Sequence, residues 1–296
     1  MAQKNRGPYS GTSGQGKQLA RTTPIQVTGL KAVGQDGGVA LNIDPATEAS
    51  APYLKDLWVV WKKVSDGPIQ NPYDGQHMTF AAQTGPVGQD LAKLAPGSTL
   101  KIVENNVATR FYVDKHDYES ALNGNGFSLL TRVDCYDKRA WDAGNVNTYA
   151  DSDLDAFLNG DYKMLLEEKV RNAIVPTKFY YTPGNMNNTV TTLERDVFEL
   201  SATELGMSQA YVNVEGSVLP IAETLKIAYL NKTASTQWTR SPSTNLSSHA
   251  WFLTAGGTLD NAGGTANSCG SRPSFCLPGN TKVSLEPDSQ GDYTLV

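Results

Sequence analysis

Gln237-Trp238-Thr239-Arg240-Ser241-Pro242 and Gly270-Ser271-Arg272-Pro273-Ser274-Phe275 are the two phrases on which the reading of this chain turns. Each sets an arginine beside small residues and a proline. The guanidinium offers five donors in a rigid fork, suited to tying together irregular backbone carbonyls and carboxylates. Between Ser241 and Ser271 the only formal charge is Asp260; the rest is Ser, Thr, Asn, Gly and Ala around His249, Trp251, Phe252 and Leu253. Small polar residues with a few aromatics have the composition of a recognition surface. Trp251, Phe252 and Leu253 are expected to fill the core, and Asn245, Ser247, Ser248, His249, Asp260, Asn261 and Asn267 to be exposed as candidate ligand-binding residues.

Outward from there, composition narrows the class. The 296 residues allow one large or two modest domains, and 39% hydrophobic content supports a buried core. A charged fraction of 19% and 27 glycines favour a β-rich, loop-rich architecture. The net charge of −5, with Lys and Arg scattered, argues against a nucleic-acid partner. No window reads as a signal peptide or a membrane span, so a soluble product folding in a cytoplasm is expected. The sequons at Asn187, Asn231 and Asn245 would then be idle. Cys135, Cys269 and Cys276 are expected as reduced, mostly buried thiols, with a Cys269–Cys276 disulfide as the alternative.

Four regions follow. Residues 1–23 are polar and read as a flexible tail or an anchoring peptide. Residues 24–83 show period-2 alternation, as at Val39, Leu41 and Ile43, between Asp-Gly turns, and the apolar run Trp58–Val64; this predicts a small antiparallel β-sandwich. Residues 84–98 read as a linker with Gly-Pro and Pro-Gly punctuation. From 99 to 296, a hairpin is predicted around Asn105-Asn106 and a strand over Phe127–Val133. A helix capped by Ser152 is expected to stop at Asn159-Gly160, and a second, with Val170 and Ile174, to end at Pro176. Val197–Leu200 reads as a buried strand, and Ser201 to Glu204 as a capped turn.

Two resemblances join these pieces. TPIQVTGLKAVGQDGGVALNIDPA with LWVVWKKVSDGPIQNPYDGQ, residues 23–46 and 57–76, resembles immunoglobulin-like or fibronectin-type-III modules of phage fibre proteins. Cys135 to Trp141, Ser152-Asp153-Leu154 leading to Phe157-Leu158-Asn159, Phe198 to Glu204, and the two arginine phrases, in that order, resemble a lectin-like domain of phage and bacterial surface proteins. That domain is related in fold to C-type lectins and formylglycine-generating enzymes. The resemblance implies an α+β fold over about residues 95–285, with Arg240, Arg272 and Glu204 as scaffold and Trp141 and Trp238 as core anchors. It further implies a non-enzymatic bacteriophage virion protein, a tail-fibre tip or head fibre adhering to a host glycan or surface protein. Other virion proteins are the expected partners, a trimer is plausible on symmetry grounds, and no cofactor is implied. A capsid decoration protein without an essential ligand is the near alternative; a hydrolase, a formylglycine-type enzyme and a bacterial surface adhesin are the others.

Enzyme and metal motifs are weak. Asp151-Ser152-Asp153-Leu154-Asp155 starts like a calcium loop, but Ala156 and Tyr162 stand where Gly and Glu are needed. These acids suit a helix N-terminus instead. His77, His116 and His249 have no zinc spacing, and Asp114, His116 and Asp117 read as the polar end of a strand.

Overall fold

The computed structural model describes two strand pairs in the N-terminal region (Lys31–Gln35 with Gly38–Asn42, Trp58–Trp61 with Gln76–Thr79) and residues 88–260 and 264–296. The chain divides into two compact units at Thr84/Gly85. Both N-terminal strand pairs are antiparallel; Gly38–Asn42 carries the Val39 and Leu41 alternation, and Trp58–Trp61 opens the apolar run. The tail and the Asp66-Gly67-Pro68 and Asp74-Gly75 turns lie outside the described residues.

Two sheets organise the C-terminal unit, and helices are few and short. The first has six strands in the order Val197–Phe198, Ser274–Pro278, Phe127–Arg132, Val107–His116, Thr99–Glu104, Asp292–Thr294. All neighbours run antiparallel except the last pair, so the final strand lies parallel to the first long one. The second has five, in the order Leu259–Asp260, Ala250–Leu253, Gln237–Pro242, Ser268–Ser271, Asp137–Ala140, with Gln237–Pro242 parallel to Ser268–Ser271. Each arginine phrase thus supplies a strand, and Arg272-Pro273 is the step by which the chain passes from the second sheet to the first. Asn105 and Asn106 take left-handed φ of 49° and 62° and turn the predicted hairpin.

Leu100, Phe111, Leu129, Leu130 and Phe275 from the first sheet share one core with Trp238, Trp251 and Leu253 from the second. Trp141 stacks beside Trp238 at 6.0 Å, and Phe111 against Phe275 at 5.4 Å. Burying such rings contributes most of the hydrophobic stabilisation.

Two expectations need correction. Residues 88–98 are not linker: Gln89–Asp90 pairs with Lys282–Val283, and Leu91 and Leu94 are buried in the core. The Pro-Gly there makes a turn within the domain, Gly97 taking a φ of 92°. The helix capped by Ser152, whose hydroxyl accepts the Asp155 N–H at 3.0 Å, does not stop at Asn159-Gly160. It widens there into a π-turn, Leu158–Tyr162, and continues through Leu165. Asn159 holds that turn by bonding Asp155 and the backbone of Asp196 and Val197.

Candidate functional site

The two arginine phrases meet in a buried polar network. Arg240 is wholly enclosed; its Nη1 and Nη2 meet the two Glu204 oxygens at 2.7 and 3.0 Å. The same fork donates to the carbonyls of Tyr180 and Glu199 and lies over the Phe179 ring at 4.5 Å. Glu204 also accepts Tyr118 Oη at 2.5 Å and the Ser201 N–H at 2.8 Å, while Ser201 Oγ accepts the Glu204 N–H, a reciprocal capping box. Arg272 touches no carboxylate with its guanidinium. It donates to the carbonyls of Arg132, Val133 and Leu225 and to Gln237 Oε1. Its backbone N–H goes to Glu199, which also takes the Ser271 hydroxyl. Burial pushes the carboxyls of Asp114 and Glu199 up to about 8 and raises Glu215 as well. Asp114 Oδ1 is buried without a hydrogen-bond partner.

Asn147 ties its own loop to two others, and further bonds add the Tyr211 loop and the Gly264 turn. This fully buried side chain donates to the carbonyls of Ser243, Leu246 and His249 at 2.8–3.0 Å. Its Oδ1 accepts the Asn185 N–H at 2.6 Å, and its own N–H goes to Ser247. Gly184 must be glycine, because a Cβ would strike the Asn147 carbonyl. Asn188 donates to the Thr244 carbonyl, and the Tyr211 carbonyl accepts both the Thr244 N–H and Trp251 Nε1. Thr265 donates its N–H to the Ser248 carbonyl and its hydroxyl to Asn145. Segments 142–148, 184–188, 211–214, 243–249 and 264–267 thus form one surface.

Val146 (39% exposed), Met186 (58%), Tyr211 (54%) and Leu246 (43%) are open to solvent on these segments. Asn145, Asn185, Met186 and Tyr211 are held at left-handed φ between 47° and 67°. That conformation is costly for bulky side chains and marks backbone held by its surroundings. Asp142 is the only carboxylate in the five segments and His249 the only titratable base.

The sequence-derived candidates distribute as follows. Asn245, Ser247 and Asn267 are exposed on this surface, and Ser248 and His249 are half-buried there, bonded to each other at 3.0 Å. Asp260 is half-buried in the strand paired with Phe252. Asn261 lies outside the described residues. Trp251, Phe252 and Leu253 are buried. The contributions of Asn145, Val146, Met186 and Tyr211 were not read from the sequence; only the density of Asn and Gly hints at them.

The remaining reactive groups are occupied. All three cysteines are free and buried, with burial raising Cys135 to about 11 and Cys276 to about 12. Cys269 and Cys276 sit on strands of different sheets. His116 is fixed between Ser128 and the Leu94 carbonyl, which, being only an acceptor, assigns the proton to Nε2. Asp155 pairs with Arg195 at 2.8 Å, and no group of three metal-ligating side chains occurs among the described residues. No helix among them is long and apolar enough to cross a membrane.

A family model described as a domain of unknown function, DUF6273, matches residues 125–279, just over half of the chain. The chain belongs to the DUF6273 family. The DUF6273 region holds the whole five-stranded sheet, both buried arginines and all five surface segments. The hairpin Thr99–Glu104/Val107–His116 and the Asp292–Thr294 strand, outside it, complete the six-stranded sheet. No curated protein and no solved structure matches the chain.

Proposed function

We propose that this chain is a non-enzymatic bacteriophage virion protein, attached to the particle through its N-terminal region, with a C-terminal unit of lectin-like fold that adheres to a host-surface ligand through the surface laced by Asn147. The observation that carries the reading is that surface. Left-handed backbone presents Tyr211 and Met186, with Leu246 exposed beside them, among uncharged Asn and Ser side chains, the composition with which adaptable hydrogen bonding surrounds apolar anchors. Its scarcity of charge favours an uncharged ligand, and a neutral surface glycan fits best, hydroxyl pairs meeting Asn and Ser and a sugar face meeting Tyr211. The resemblance of residues 23–46 and 57–76 to modules of phage fibres supports the virion setting. Thiols held protonated and a His116 ring fixed between Ser128 and the Leu94 carbonyl support a role without catalysis.

The test is adhesion. Beads carrying the purified chain are mixed with host cells and with an array of neutral and acidic glycans, beside a Tyr211→Ala, Met186→Ala double variant. Retention on cells and on neutral glycans, lost in the variant while its melting temperature is kept, is the expected result. Adhesion untouched by the variant would remove the surface from the reading. No adhesion by a folded chain that labels the capsid in electron micrographs would favour decoration without a ligand.

A further inference from the structure

Three Asn-Gly pairs occur in the sequence, Asn123-Gly124, Asn125-Gly126 and Asn159-Gly160. This dipeptide is prone to self-cleavage of the asparagine amide, because glycine leaves the next backbone nitrogen unshielded and free to rotate. The fold treats the three unequally.

Asn123 is pinned. Its Nδ2 donates to the carbonyls of Tyr118, Glu119 and Lys178, and its Oδ1 accepts the Lys178 N–H at 2.8 Å. The Gly124 N–H is itself committed to Ser120. Asn159 is pinned too, donating to Asp155 and Val197 and accepting from the N–H groups of Asp196 and Val197, inside a helical turn. Asn125 and Gly126 are both exposed, and no hydrogen bond among the described residues holds the Asn125 side chain.

The Gly126 nitrogen is also set up for attack. Its N–H donates to Asp117 Oδ1 at 2.7 Å, so a carboxylate, unlike the carbonyl that holds the Gly124 N–H, is placed to accept the proton that must leave. The turn is wound tightly, with left-handed φ at Asp117 (52°), Glu119 (45°), Gly124 (74°) and Gly126 (100°). Its far side is clamped by the Gly279 N–H on the Gly126 carbonyl at 2.6 Å.

We propose that Asn125-Gly126 is a self-modification site of the folded protein, converting to aspartate and isoaspartate while Asn123-Gly124 and Asn159-Gly160 are protected. The Gly126 nitrogen bonds to Asn125 Cγ; the Cγ–Nδ2 bond breaks, and ammonia departs with the amide proton. Water then opens the resulting cyclic imide at either carbonyl. Opening at one carbonyl gives aspartate; opening at the other gives isoaspartate, with one extra backbone atom in the turn. Each event adds one negative charge beside Asp117, and the isoaspartate form loosens the Gly126–Gly279 clamp that joins this turn to the end of the Ser274–Pro278 strand.

The experiment is a time course of the intact, folded chain at neutral pH and body temperature, read by peptide mass spectrometry at all three sites. The same chain unfolded in denaturant serves as the control. Conversion at Asn125 is expected at least about tenfold faster than at Asn123 or Asn159 in the folded chain, since those two must first break several hydrogen bonds. The three sites should converge when unfolded. An Asn125→Ser variant should keep the melting temperature and lose the acidic species that accumulates on ion exchange. Folded-state rates at Asn125 no higher than at the other two would overturn the proposal.

Discussion

Arg240 and Glu204 face each other as a two-pronged ion pair, Nη1 to Oε2 at 2.7 Å and Nη2 to Oε1 at 3.0 Å, with neither side chain reaching solvent. Removing one partner strands the other charge in a low-dielectric interior, which costs about 3–5 kcal/mol. Glu204→Gln and Arg240→Ala should each lower stability by that order in urea unfolding. A midpoint within experimental error of the parent would refute the scaffold role of this pair.

Asp114 and Glu199 give the molecule an unusual pH response. In the unfolded chain both titrate near 4; in the fold burial holds them near 8. Between those values the folded state binds more protons, so stability falls as pH rises from about 4 to about 8 and levels off above. Each carboxyl contributes a slope of up to about 1.4 kcal/mol per pH unit. Asp288, held down at about 2 by Lys101, acts only at the acid end. Urea unfolding across this range should show the decline, and Asp114→Asn should remove about half of its slope, leaving the share of Glu199. A stability that climbs toward pH 8 would contradict the buried, protonated state.

On the outer surface, exposure separates two kinds of asparagine. Replacing Asn245, Ser247 and Asn267 together by alanine should change stability by no more than about 0.5 kcal/mol per site, as surface substitutions do. Asn147→Ala should cost several times that, because three carbonyls lose their donor. If the triple variant melted as early as Asn147→Ala, the exposed residues would be part of the framework.

The thiols should be silent. Cys135, Cys269 and Cys276 are buried and shifted upward, so the reactive thiolate is scarce at neutral pH. A colourimetric thiol reagent should label none of them until the chain is unfolded, and then label three. Rapid native labelling would show that a strand opens.

How much of this was legible beforehand depended on distance along the chain. The Asn105-Asn106 hairpin and the Ser152 cap are local chemistry, and the structure has both. Five donors on Arg240 announce a hub with Glu204 in its scaffold, although not that the Tyr180 carbonyl would be a partner. The Asn159-Gly160 pair misled, because bonds to Asp196 and Val197 override a local breaker. Leu91 and Leu94 were hidden by the Pro-Gly that follows them. The surface was hardest to read, since Asn147 meets Ser243 and Leu246 nearly a hundred positions away and no periodicity records such a meeting.

The parallel seating of Asp292–Thr294 beside Thr99–Glu104, with Gln89–Asp90 against Lys282–Val283, has one more consequence. Gly88 packs directly against Val283 and Val296, so residues 88 and 296 lie side by side at a single seam. Such a module behaves as a cassette. A short peptide joining 296 to 88 would permit circular permutation at an exposed turn, and the unit could be spliced into a surface loop of an unrelated carrier without prising that carrier apart.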